Sequence, residues 1–176
     1  GSGAAYRDAQ SKMRESVSLL DFAGDAPLID YAPALNAAID HLLSRSNGGE
    51  LTLPAGVWPI KSRIVKTVTA QQHIAIRGHG RYVSTLDFSG AAELGLFFNS
   101  TTTVDNQKPT FEFSDFGMIT SRDAAGSAIE IQFANANNID ASLTVRDMFV
   151  GSNVDRISDS GAGYGYWTRA VVARNA

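Results

Sequence analysis

The pattern of apolar and polar residues changes its period once along this chain, close to residue 49. Before that point, apolar residues recur at helical spacing at Leu35, Ala38, Ile39, Leu42 and Leu43. Asp30 is placed to cap this helix, Pro33 suits its first turn, and Asn47-Gly48-Gly49 is placed to end it. Beyond residue 49, the two residue classes alternate with period two, which predicts strands and turns.

Three segments follow from this change of pattern. Residues 1–16 are polar without a strong apolar stripe, and we interpret them as a tag, a linker or a neck segment. Residues 17–49 are predicted to hold a first strand, Val17–Phe22, followed by the helix. Residues 50–176 are predicted to hold the remaining strands, and the fragment is expected to be cut from a longer protein.

Strand-like segments recur within residues 50–176 at similar intervals. Ile74–Gly78 aligns with Phe111–Asp115 and then with Leu143–Asp147, each reading apolar, any, apolar, polar, Gly or Asp. A second family aligns Leu94–Asn99 with Ile129–Phe133 at an offset of 35 residues, and Ala170–Ala173 is its looser third member. Two interleaved families at similar intervals predict successive coils of a solenoid.

The solenoid prediction specifies a core and an edge. The predicted core residues are Ile74, Ile76, Leu86, Phe88, Phe111, Phe113, Leu143 and Val145. The predicted helix would cover the open edge of the first coil, which would otherwise recruit other strands. The alternative is an antiparallel sandwich, but that fold predicts no long-range register between the two families.

Composition narrows the classes of partner. The formal net charge is −3 and no run of Lys or Arg occurs, which argues against nucleic acid. No apolar run reaches the ~20 residues that a membrane-spanning helix needs. The chain has no cysteine and its three histidines are isolated in sequence, so neither a disulfide nor a metal site is predicted, and no cofactor is expected.

Between Asp30 and Phe88, the predicted capping helix is followed by Gly48-Gly-Glu-Leu-Thr-Leu-Pro-Ala-Gly-Val-Trp58 and then by Ile74-Ala-Ile-Arg-Gly-His-Gly80. This order of motifs resembles the opening of the pectate-lyase-like superfamily, in particular the tailspikes and depolymerases of bacteriophages. Trp58-Pro59 replaces the commoner Tyr followed by a non-proline, so a break or bulge of the strand is expected at Pro59.

This resemblance implies a fold and a biological role. The fold is all-β with an N-terminal capping helix: a right-handed, single-stranded parallel β-helix, truncated to about three to four coils. The parent protein would be a homotrimer on the virion tail, outside the cell, which contacts other tail proteins and binds and cleaves a bacterial surface polysaccharide. Two alternatives remain open: a non-catalytic segment that attaches a spike or fibre to the virion, and a fragment of a secreted bacterial pectinase-like enzyme.

Candidate catalytic residues are few, and the fragment can lack the catalytic residues altogether. Asp115 and Asp147 occupy equivalent repeat positions, where two stacked carboxylates would perturb each other and form an acid and base pair. Asp is also a common turn residue at a strand end, so the two positions have a purely structural alternative. Glu112 and Glu130 are further acidic residues expected on the outer faces of the coils.

Candidate carbohydrate contacts lie in a Gly-rich aromatic segment near the end of the chain. Tyr164, Tyr166 and Trp167 follow closely spaced glycines, and exposed aromatic faces stack on sugar rings. The alternative is that these aromatic rings fold back onto the coils or contact a neighbouring subunit.

Overall fold

The strands of this protein lie in three parallel sheets, which the chain enters in a fixed order. The computed structural model describes residues 16–24, 29–91, 93–101, 109–121, 125–133, 142–152 and 167–175. The strands are β1 Ser16–Ser18, β2 Gly48–Thr52, β3 Gly56–Pro59, β4 Ile64–Val68, β5 His73–Arg77, β6 Ser84–Asp87, β7 Leu96–Ser100, β8 Thr110–Ser114, β9 Gly117–Thr120, β10 Ser127–Phe133, β11 Ser142–Arg146, β12 Phe149–Ser152 and β13 Arg169–Asn175. The described residues contain one α-helix, α1, over Ala32–Leu43.

Each group of three consecutive strands after α1 contributes one strand to each sheet, and we call such a group a coil. The strand order is β1-β2-β5-β8-β11 in the first sheet, β3-β6-β9-β12 in the second and β4-β7-β10-β13 in the third. Every described strand pair is parallel. A mostly β protein with stacked parallel strands and a helix near its start is confirmed, and the arrangement is consistent with a parallel β-helix.

The register of the first strand family is confirmed. Phe113 pairs with Ile76 on one side and with Val145 on the other, as the aligned segments predict. The register of the second family is wrong by two residues, because Ile129 pairs with Leu96 and not with position 94. A shift of two residues keeps every side chain on the same face of a strand, so the apolar pattern could not exclude it.

The core lies between the sheets and is formed by apolar side chains from successive coils. Phe98 lies 5.3 Å from Phe111 and 5.7 Å from Phe113, measured between ring centroids. Most of the predicted core residues are fully buried, but Val145 is 38% exposed. Within the described residues β11 is the outermost strand of its sheet, so Val145 has a paired neighbour on one side only.

The predicted strand Val17–Phe22 is wrong in its second half. Strand β1 ends at Ser18, and a 3-10 helix follows over Leu19–Phe22. The hydroxyl of Ser18 accepts a hydrogen bond from the backbone N–H of Leu20, and the carboxylate of Asp21 accepts one from the backbone N–H of Ser18. This capping arrangement favours a helical turn over a continued strand.

Helix α1 covers the first coil, as the sequence predicts. The carboxylate of Asp30 accepts hydrogen bonds from the backbone N–H groups of Ala32 and Lys61, so it joins the helix start to the coil. Lys66 on β4 is only 8% exposed and donates to Asp40 of the helix at 2.6 Å. The side-chain amide of Gln72 donates to the backbone carbonyls of Leu43, the last helical residue, and of Arg45.

The Trp58-Pro59 segment ends strand β3. Pro59 is its last residue, where a missing N–H costs least, and its carbonyl accepts a hydrogen bond from the backbone of Tyr31. The rings of Trp58 and Tyr31 meet edge to face at 5.0 Å. This contact connects the strand with the residue that precedes α1.

Candidate functional site

A charged groove is formed by residues of the third sheet and by residues that directly precede its strands. It has a volume of about 480 Å³, within the size range of small-ligand sites. The charged residues that line it are Arg63, Glu93, Glu130, Arg169 and Arg174. They come from four successive coils, because Arg63 precedes β4, Glu93 precedes β7, Glu130 lies on β10 and both remaining arginines lie on β13.

Glu130 connects two of the groove's arginines. One of its carboxylate oxygens accepts a hydrogen bond from Arg63 at 3.1 Å, and the other forms an ion pair with Arg174 at 3.1 Å. The guanidinium of Arg63 also lies over the ring of Phe97, 4.8 Å from the centroid. Its Nε atom is buried and has no hydrogen-bond partner among the described residues. This cluster of two arginines and one glutamate carries a net positive charge.

Contacts of Thr168 and Trp167, the two residues just before β13, hold the rim of the groove. The hydroxyl of Thr168 accepts a hydrogen bond from the backbone N–H of Gly126 at 2.9 Å. Trp167 packs edge to face on the buried ring of Phe88, with centroids 5.7 Å apart. These contacts fix the start of β13 and therefore the position of Arg169.

A second charged cluster lies on the outer face of the first sheet. Arg77 contacts Glu50 at 3.4 Å and Glu112 at 3.0 Å, and Arg146 contacts Glu112 at 2.9 Å. Partial burial acts to raise the pKa of Glu112, but hydrogen bonds and charges from the two arginines outweigh it, so the pKa lies below its usual 4.5. The hydrogen bond to Glu112 in turn raises the pKa of Arg77.

Asp115 and Asp147 lie at the corners between the first and second sheets. Both follow strands that pair in register, and both have a left-handed backbone, with φ of 62° and 49°. Asp tolerates this conformation better than most residues, which agrees with the structural alternative for these positions. Their role as a catalytic pair stays a prediction.

Of the three predicted carbohydrate-contacting residues, Tyr164 and Tyr166 lie outside the described residues. Trp167 is described and lies against Phe88, and its indole N–H is buried without a partner among the described residues. Trp167 therefore anchors the start of β13 to the core. A contact of Trp167 with sugar stays a prediction.

An exposed tyrosine that the sequence analysis did not single out lies at another corner, against the half-buried ring of Phe149. Tyr82 is 68% exposed, and its ring centroid lies 5.1 Å from that of Phe149. The guanidinium of Arg81 lies over the ring of Tyr82 at the same distance. The sequence signal for a sugar contact was an aromatic residue close to several glycines, as at Tyr164 and Tyr166. Tyr82 has a single glycine nearby, Gly80, with one polar residue between them, so the same pattern is weaker there.

No protein-family model, curated protein or solved structure matches this chain. The resemblance to tailspikes therefore depends on the motif residues and on the parallel stacked strands alone. Among the described residues, no helix is long and apolar enough to span a membrane. In the same part of the chain, no group of three or more His, Asp or Glu side chains is arranged to hold a metal ion.

Proposed function

We propose that this chain is part of a right-handed parallel β-helix of the pectate-lyase-like kind, and that its parent is a phage tailspike or depolymerase. The supporting observation is the fixed order in which successive coils visit three parallel sheets. Crossovers between parallel strands of one sheet are right-handed in nearly all proteins, which favours that hand here. The proposed location is the virion tail, outside the cell.

The proposed activity is binding and cleavage of a bacterial surface polysaccharide. A stack of coils presents outer faces several strands long, and neighbouring strands are spaced by about 4.8 Å. The groove on the third sheet extends from β4 to β13, so an extended polymer could contact several coils at once. The exposed ring of Tyr82 offers a further surface on which a sugar ring can stack.

Cleavage requires a carboxylate that can give or take a proton. Glu112 suits the role of general acid poorly, because its lowered pKa keeps it ionised at neutral pH. Asp115 and Asp147 remain the proposed acid and base, in a hydrolase or in a lyase.

Incubation of the chain with capsular polysaccharide or lipopolysaccharide tests the activity. A hydrolase produces new reducing ends, and a lyase also produces the ultraviolet absorbance of an unsaturated uronate. The Asp115→Asn and Asp147→Asn variants should each lower the rate by at least about 100-fold if the two residues are the acid and base. Full activity in both variants would remove them from the proposed mechanism.

A non-catalytic role in virion attachment is the second candidate. It is favoured by the arginine partners of Glu112 and Glu130, since such ion pairs are typical of structural carboxylates. In this role the chain would bind tail proteins and other copies of itself, as a homotrimer. Sedimentation equilibrium tests self-association: a trimer supports it, and a monomer that binds polysaccharide without cleaving it supports a receptor-binding segment.

A further inference from the structure

The groove on the third sheet has a surplus of positive charge that its own glutamates do not neutralise. Three arginines and two glutamates line it. Glu130 is shared between Arg63 and Arg174, so its single charge is divided between two guanidinium groups. Arg169 has no acidic partner among the described residues, and its side chain is exposed at the start of β13.

The cluster on the first sheet provides an internal comparison. There Glu112 is also shared between two arginines, Arg77 and Arg146, but Glu50 supplies a second carboxylate to Arg77. Two glutamates therefore balance two arginines. The groove differs in having one arginine in excess and a volume that can admit a ligand.

The donors in the groove match an oxyanion. An arginine side chain has five N–H donors, and among the described residues the contact of Arg174 with Glu130 engages one of them. The remaining N–H groups of Arg174 and those of Arg169 can bind a carboxylate or phosphate with charge-assisted hydrogen bonds. Glu93 and Thr168 add polar oxygens, which can accept hydrogen bonds from hydroxyl groups on the same ligand.

We infer that this groove binds a polyhydroxylated ligand that carries one carboxylate or phosphate, with Arg169 and Arg174 holding the anion. The inference rests on the proposed function in one respect: such a ligand would be an acidic unit of the bound polysaccharide. Glu130 then has a second role as an internal competitor, because its carboxylate occupies the same guanidinium groups that the ligand needs.

If Glu130 competes with the ligand, substituting Glu130 and substituting the arginines should change the affinity for the anion in opposite directions. Glu130→Gln removes the competing charge and should strengthen binding of the anion by at least about threefold. Arg169→Ala and Arg174→Ala each remove donors and should weaken binding by about tenfold. The matched controls on the first sheet are Glu112→Gln and Arg146→Ala, which alter the equivalent ion pairs and should leave binding within about twofold.

An NMR titration tests the inference with three ligands: glucuronate, glucose 6-phosphate and neutral glucose. Each is added to nitrogen-labelled protein, and the signals of the arginine Nε–H groups report binding. Shifts with glucuronate alone indicate a carboxylate source, shifts with glucose 6-phosphate alone a phosphate source, and shifts with both a general oxyanion site. Thermal unfolding of each variant establishes that it is folded. For a variant that fails to fold, raising the salt concentration on the wild-type protein replaces it, because binding to arginine weakens with ionic strength.

Three outcomes would overturn the inference: equal binding of glucose, no response to either anion, or an unchanged affinity in both Arg169→Ala and Glu130→Gln. Polysaccharide binding that survives Arg169→Ala would also overturn it, while the proposed function would stand. Conversely, anion binding in the groove without binding of any surface polysaccharide would support the anion site and contradict the proposed function.

Discussion

Single residues at the corners decide how closely successive coils approach each other. Gly78 lies where the next coil passes, and a Cβ atom at this position would stand 2.3 Å from the carbonyl oxygen of Asp115. It would also stand 2.8 Å from the Cβ atoms of Phe116 and Ser84. One of these obstacles is a backbone oxygen and the other two are Cβ atoms bonded directly to the backbone, so relief would require a shift of the chain.

The Gly78→Ala variant is therefore expected to lower the free energy of unfolding by about 2 kcal/mol or more. The matched change is Asp115→Gly at the equivalent position of the next coil, where φ is already 62°. Glycine has no steric penalty there, so this variant should differ from the wild type by less than about 1 kcal/mol. Urea unfolding of both variants measures the difference, and equal losses would contradict the close-approach explanation.

The ionisation of Glu112 makes the free energy of unfolding depend on pH. Because its pKa is lowered from 4.5 in the folded protein, the unfolded chain binds a proton more readily at this residue. Its stabilising contribution is therefore complete well above pH 4.5 and is lost as the pH falls through the lower, folded-state pKa.

Glu112→Gln should accordingly cost about 1 kcal/mol at neutral pH and progressively less below about pH 4.5. Urea unfolding of the variant and the wild type at neutral pH, about pH 4.5 and about pH 3 gives the comparison. A difference that stays constant over this range would show that Glu112 contributes by packing and not by its charge.

At the level of elements, α1 acts as a cover for the first coil. Leu35, Ala38, Ile39 and Leu42 have no exposed surface. The helix start is joined to the coil through Asp30, and its last turn through Gln72. The helix is thus attached at both ends and buried along one side.

Ile39→Ala should reduce the free energy of unfolding by about 2–5 kcal/mol, since it removes buried methyl groups and leaves a cavity. Ala37 is exposed on the same helix, and Ala37→Ser should cost about 0.5 kcal/mol through helix propensity alone. Thermal unfolding of the two variants is the measurement. A small effect of Ile39→Ala would mean that the helix does not stabilise the coil it covers.

The positions of the helix and strands were easier to predict from the sequence than the register in which the strands pair. The spacing of Leu35 and Ile39 predicts α1, and the aligned apolar residues predict the register of Phe113 with Val145. The register of β7 with β10 was wrong by two residues, because period two cannot distinguish such a shift. The end of Val17–Phe22 was missed because the hydrogen bonds of Ser18 and Asp21 act locally and leave no apolar signature.

The candidate groove could not be predicted from sequence for a related reason. Arg63, Glu93 and Arg169 are far apart along the chain and share no motif. They come together only because the strands that follow them stack in the third sheet. Each stands near the start of an apolar strand, a signal that becomes specific only once the register of that sheet is known.

At the scale of the whole molecule, the pairing of strands within a sheet does not depend on the length of the chain that connects them. Ile129 and Val171 pair in register across a longer stretch of chain than Leu96 and Ile129 do, yet both pairs belong to the same sheet. Added length at a corner costs little, since the entropy of loop closure grows slowly with the number of residues. Peptide insertions at the corners should therefore be tolerated while the stacking beneath stays unchanged, which would let a single scaffold acquire new recognition loops without refolding.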